Sequence, residues 1–460
     1  MAGEWRIERD SLGEVRVPAQ AYYGAQTQRA VENFPISGLR SHPALIRATA
    51  LIKYASARAN RQLGKLDAKL AGAIEQAAQE IAAGGLRDEF VVDAFQAGAG
   101  TSYNMNANEV IANRANEILG GARGAYTPVH PNDHVNMSQS TNDTVPASIR
   151  IAALSMTPAL LHALEELTGA LDGKGRAFDA ILKSARTHLQ DAVPIRLGQE
   201  FAAWAWTLRR DLGRVEQAAA CLRELNLGGT AAGTGMNTHP EYAATVAREI
   251  PGLELRPAGN LISVTQSMSD FAHVSASLRT LALDLIQIAN DLRLLSSGPR
   301  TGLAEIALPA VQPGSSIMPG KVNPVMAEMT DMVCFQVVGN DTTIALAAQA
   351  GQLDLNVMMP VIAHDLLQSY DILTNAISAL TERCVRGITA DAARARRYFE
   401  SSVGLATVLN PLIGYSAAAK VAQESARTGE TIVEVVRRQG LLTDEQIAEL
   451  FDPARLTEPR

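Results

Sequence analysis

The stretch LISVTQSMSDFAHVSASLRTLALDLIQIANDLRLLSS, residues 261–297, decides the fold. Its apolar side chains Val264, Met268, Phe271, Val274, Leu278, Leu281, Leu285 and Ile288 recur at three- and four-residue steps, the period of one helix face. The segments around it read the same way. Residues 198–226 carry Phe201, Trp204, Leu208, Leu212, Val215 and Leu222 at that spacing, and residues 326–348 and 361–384 look like further long helices. Another is expected from Thr157-Pro158, with threonine as N-cap and proline at the first helical position, running to about residue 183. Helices well beyond ~25 residues suggest a bundle longer than one subunit covers. Several carry apolar residues on more than one side, so burial against further copies of the chain is expected.

Outward from this bundle the pattern changes. An N-terminal part, residues 1–140, mixes helices at 43–63 and 67–83 with Gly- and Asn-rich loops. The bundle domain is assigned to 141–395 and a small helical domain to 396–460. In the last, Thr443-Asp444-Glu445-Gln446 reads as a capping box. The expected class is all-α, in keeping with aromatics at only 5%.

Composition narrows the function. A net charge of −7 without a basic stripe argues against nucleic acid, so an anionic substrate must be held by local groups. Cys221, Cys334 and Cys384 are odd in number and far apart, with neither a disulfide framework nor metal-ligand spacing. Residues 1–10 lack an apolar signal-peptide core, and no window approaches ~20 uninterrupted apolar residues. A cytoplasmic protein with no membrane partner is expected.

Four polar, small-residue loops interrupt the helical text: residues 98–106 (GAGTSYNMN), 130–143 (HPNDHVNMSQSTND), 186–191 (RTHLQD) and 314–324 (GSSIMPGKVNP). Each offers hydroxyls and amides suited to cradling carboxylates. Taken singly, each could equally be loop and cap chemistry. His130 and His134 lie four apart, but Pro131 between them speaks against a helix and so against a metal pair. His42, His162, His239, His273 and His364 share no spacing and read as surface or packing residues. The glycines of residues 228–235 (GGTAAGTG) follow a helix rather than a strand, which argues against a dinucleotide loop.

The 314–324 loop resembles the signature loop of the aspartase/fumarase superfamily. GTSYNMNANEV, HPNDHVNMSQSTND, ARTHLQDAVPIRLGQE and NDLRLLSSGPRTGL resemble stretches of that family in the same order. The resemblance implies three domains, a homotetramer around a shared helix bundle, and active sites built from three subunits. It implies removal of a proton beside one carboxylate of a four-carbon dicarboxylate, then loss of a group from the neighbouring carbon, with no cofactor or metal. Ser315 matches the family's base. Thr101, Ser140, Thr141 and Ser316 match the residues around the carboxylate that becomes an aci-carboxylate dianion; Thr187, Lys321 and Asn323 match those at the other carboxylate. Asn142 matches the residue at the leaving group. His188 matches the histidine over that group, and Glu328 the glutamate that supports it. His130 resembles a residue lining a secondary anion site.

By the same resemblance the leaving group is ammonia. Ser140-Thr141-Asn142-Asp143, residues 339–343 and 350–352, and the stretch 440–443 follow the aspartase pattern. His130 and residues 235–242 lean toward fumarases, and Met359 departs from both. Loss of water, loss of another substituent from succinate, and a non-catalytic lens-type relative are the alternatives.

Overall fold

The computed structural model describes residues 4–458. Helices dominate: α1 (Ala25–Asn33), α2 (Pro43–Gln62), α3 (Ala68–Ala82), α4 (Thr101–Ile118), α5 (Thr141–Ala177), α6 (Leu197–Ala219), α7 (Tyr242–Glu249), α8 (Leu261–Gln266), α9 (Ser269–Leu295), α10 (Val325–Gln349) and α11 (Met359–Arg383). The C-terminal part adds α12 (Ala392–Ser401), α13 (Asn410–Ile413), α14 (Tyr415–Thr428), α15 (Ile432–Arg438), α16 (Asp444–Leu450) and α17 (Pro453–Thr457). Among the described residues the strands form only two-stranded pairs, chiefly the hairpins β1–β2 (Trp5–Asp10, Gly13–Pro18) and β3–β4 (Leu182–Thr187, Gln190–Arg196). The all-α expectation holds.

The chain divides into two compact units. One comprises the chain up to Leu161 with Gly213–Ala282 and Phe335–Thr374; the other comprises His162–Leu212, Leu283–Cys334 and the chain from Asn375. Helices α5, α6, α9, α10 and α11, of 23 to 37 residues, contribute to both. Helix α5 is long and apolar enough to cross a membrane, but 67% of its apolar window is buried inside the chain, as expected of a core helix.

Three helix boundaries differ from the sequence reading. Thr157-Pro158 starts no helix: α5 begins at Thr141 and runs through both Pro146 and Pro158. Buried Thr157 turns its hydroxyl back onto the Ala153 carbonyl at 2.9 Å, which a mid-helix threonine can do. Pro146 has no N–H for the Asn142 carbonyl four residues earlier, and Asn226 Nδ2 takes that place at 3.1 Å. The stripe at 261–297 spans two helices, because Ser267 is extended and its Oγ accepts from the Ser269 amide at 3.3 Å to restart the chain as α9. Residues 178–183 leave the helix, and 182–187 become strand β3.

Two smaller corrections concern loops. Pro131 opens a π-helical turn, Pro131–Val135, as a first-turn proline can. His130 caps this turn by accepting from the Asn132 and Asp133 amides, and the His134 ring accepts from the His130 amide at 2.8 Å. Among the described residues no group of three His, Cys, Asp or Glu is arranged to hold a metal. The glycine segment follows a two-residue strand, Glu224–Leu225, that pairs with Arg256–Pro257. Its glycines serve close packing: a Cβ on Gly233 would lie 2.4 Å from Ile262 Cα in α8. The Thr443–Gln446 capping box forms with both of its hydrogen bonds.

Candidate active site

In the first unit, Thr101 and Ser140–Asn142 sit at helix N-termini. Thr101 opens α4 after a tight turn in which Ala99 and Gly100 take φ of +61° and +81°. A buried alanine in this region is strained, and the turn is pinned from outside by the Ala99 amide, which donates to the Val357 carbonyl at 2.7 Å. Val357 thus ties the Thr101 loop to the segment entering α11, where Met359 is fully buried.

Ser140 precedes α5, and its amide donates to Asp143 Oδ1 at 2.9 Å. Asp143 is buried, and its other oxygen accepts from the Gly228 and Thr230 amides at 3.1 and 3.0 Å. One carboxylate therefore fastens the Ser140 turn to the glycine segment. Burial pushes its pKa up to about 6, against the pull of those three amides and of Lys53. Asn142 Nδ2 donates to the Ala231 carbonyl at 2.8 Å.

Beneath this turn lies Lys53 of α2, which is fully buried. Its ammonium donates to Asn104 Oδ1 at 2.9 Å, Asn136 Oδ1 at 3.1 Å and Gln139 Oε1 at 2.9 Å. Asn104 Nδ2 in turn reaches Thr141 Oγ1 at 3.2 Å. Lys53 was not singled out from sequence, because a lone lysine in an alanine-rich helix reads as a surface residue.

In the second unit, Thr187 and His188 sit at the turn of β3–β4. Thr187 pairs with Gln190, and the two residues between them, His188 and Leu189, both have positive φ, +55° and +58°. This is the twist a two-residue hairpin needs, built here without the usual asparagine or glycine. The segment 187–190 is exposed.

The signature loop is a closed excursion. The Gly314 amide donates to the Lys321 carbonyl at 3.0 Å, and Asn323 Nδ2 donates to the Gly314 carbonyl at 2.5 Å. A Cβ on Gly314 would strike Lys321 O, Asn323 N and Val322 Cα at 2.3–2.8 Å, so only glycine fits the neck. Within the loop, Ser315 Oγ accepts from the Ile317 and Met318 amides at 3.3 and 3.0 Å. Two N–H groups converging on one oxygen favour its anionic form. Ser316 and Lys321 are exposed, and Ile317 is 83% exposed. Glu328 lies in the first turn of α10. Among the described residues no hydrogen bond joins His188 to Glu328.

The signature loop carrying Ser315 and the order of the polar motifs along the chain are those expected of a lyase of the aspartase/fumarase superfamily. The chain belongs to that family. The lyase family model matches residues 13–339, and the model of the fumarase C C-terminus matches 405–458. An aspartate ammonia-lyase from Bacillus subtilis is 50% identical over 99% of this chain and 97% of its own length. A class II fumarate hydratase from Halobacterium salinarum is also 50% identical, over 99% and 98%. Among solved structures, a fumarate lyase:delta crystallin from Brucella melitensis, bound to cobalt, superposes with a TM-score of 0.96 at 50% identity, covering 99% of this chain and 100% of that one.

Proposed function

We propose that this chain is an aspartate ammonia-lyase, which eliminates ammonia from L-aspartate to give fumarate. The near full-length match to aspartate ammonia-lyases at half identity carries the reading. Ser315 is the base. The Ile317 and Met318 amides stabilise its alkoxide, and the deprotonated serine takes the proton beside one carboxylate. Thr101, Ser140, Thr141 and Ser316 donate to the aci-carboxylate as its second charge develops, the point at which preorganised donors lower the barrier. Lys321, Asn323 and Thr187 hold the other carboxylate. Asn142 and His188 attend the leaving amine, with Glu328 supporting the histidine. No cofactor or metal enters this chemistry.

The site is assembled from three subunits of a cytoplasmic homotetramer, each with domains at 1–140, 141–395 and 396–460. Helix α10 supports an oligomer: it leaves Met332, Phe335 and Leu346 more than half exposed, an apolar surface that calls for a partner.

The second reading is a fumarate hydratase, favoured by the equal identity to the Halobacterium protein. Absorbance in the fumarate band separates them. Growth with L-aspartate and none with L-malate is expected; growth with malate alone overturns the proposal. The neck of the loop offers a further check. Gly314→Ala is expected to lower kcat about 100-fold, because its Cβ meets three backbone atoms and must move the base. Steady-state rates within twofold of the parent would show that the neck yields without displacing Ser315.

A further inference from the structure

The turn that presents His188 is costly in itself, since two adjacent non-glycine residues hold positive φ. Two residues before His188 the strand is tied into a buried ion cluster. Arg186 sets its guanidinium on the Glu305 carboxylate in a two-bond fork, 3.0 and 2.9 Å, and Glu305 is fully buried. Lys183 Nζ reaches the same carboxylate at 2.9 Å and both oxygens of Glu200 at 2.9 and 2.8 Å. Two cations and two anions thus neutralise one another around β3. The Tyr398 ring lies 5.5 Å from the guanidinium carbon of Arg186.

The strand geometry makes this cluster specific. Residues 183 and 186 are an odd number of positions apart, so in a regular strand they would face opposite sides. The β3–β4 register shifts between Ser184 and Arg186, and that irregularity turns Arg186 to the side of Lys183, toward Glu305. Glu305 is itself fixed at both backbone groups: its amide donates to the Leu295 carbonyl at 2.9 Å and its carbonyl accepts from the Asp391 amide at 2.8 Å. The hairpin therefore takes its orientation from the end of α9 and the start of α12.

We propose that Arg186 and Glu305 are positioning residues that act through His188: their fork sets the rotation of the hairpin tip and so the place of the imidazole over the leaving group. This rests on the reading of His188 given above. Arginine is required because only its planar fork makes two parallel bonds to a carboxylate; lysine keeps the charge and loses the orientation.

The test is steady-state kinetics of Arg186→Lys, Glu305→Gln, His188→Ala and the double variant R186K/H188A, with the substrate that the wild-type tetramer turns over. R186K keeps every buried charge, so it remains interpretable if E305Q fails to fold. Its kcat is expected to fall about 100-fold with KM within about twofold, and R186K is expected to cost nothing further in the H188A background. Wild-type kcat in R186K, beside a large loss in H188A, overturns the brace and leaves the role of His188 standing. An equal loss from R186K with and without His188 also overturns it. Wild-type turnover in H188A overturns the role of His188 and the brace together.

Discussion

Replacing Ser315 with alanine is expected to lower kcat for L-aspartate about 1,000-fold, the scale of a lost proton-transfer group. A free serine hydroxyl is too weak an acid to serve as a base at neutral pH. In this chain the Ile317 and Met318 amides already point at Ser315 Oγ in the resting loop. Both therefore strengthen as the oxygen becomes anionic, without any reorganisation. Alanine removes the oxygen and leaves two exposed amides that water can satisfy. The thermal midpoint should stay within about 1 °C, because the loop is solvent-exposed and surface changes of this kind are nearly neutral. KM should move little, since the carboxylates are assigned to other side chains. A Ser315→Ala enzyme with kcat within tenfold of the parent would remove Ser315 as the base.

Much of the fold was legible because long amphipathic helices write their period into the sequence. The stripe from Phe271 to Ile288 appears in the structure as the buried face of α9. Boundaries were less legible, because local signals compete. Thr157-Pro158 carries every mark of a helix start, yet the apolar contacts of α5 on both sides of it outweigh one missing backbone bond. Ser267 gives no glycine or proline to mark the break between α8 and α9. The β3–β4 hairpin is hidden for a similar reason: His188-Leu189 is an improbable pair for a turn with two positive φ values.

The candidate site divides along the same line. Motif residues such as Ser140 and Ser315 are assigned from the resemblance, because each sits in a short contiguous stretch. Lys53, Asp143, Arg186 and Glu305 make contacts across long sequence separations. Their environment is made by tertiary packing, which no local pattern records. For Asp143, the Ser140 amide lies three residues away at capping-box spacing, but the Gly228 and Thr230 amides come from across the fold.

Lys53→Met is expected to lower kcat/KM about 100-fold, by loosening the Asn104–Thr141 contact, and to destabilise the chain by about 3 kcal/mol or more. The ammonium has three N–H groups, and Asn104, Asn136 and Gln139 offer three oxygens. Methionine keeps an unbranched apolar stem one atom shorter and leaves all three acceptors without their donor. The pH dependence supplies a signature that simple core damage would lack. Burial pushes the Lys53 pKa from its ordinary 10.5 down to about 7, with Asp143 pulling the other way. The folded state therefore favours the neutral amine. The contribution of Lys53 is fully present above about 10.5 and is lost as pH falls through about 7, so between these values wild-type stability rises with pH. Asp143 works in the opposite sense and in another window: raised to about 6, its contribution is present below its ordinary 3.8 and lost as pH rises through about 6. Denaturant titrations at several pH values between 7 and 10 thus isolate the lysine. The wild-type slope should exceed that of Lys53→Met by about 1.4 kcal/mol per pH unit. Parallel wild-type and Lys53→Met profiles would mean that Lys53 keeps its proton throughout that range, and that the three amide oxygens hold an ammonium whose charge burial has not weakened.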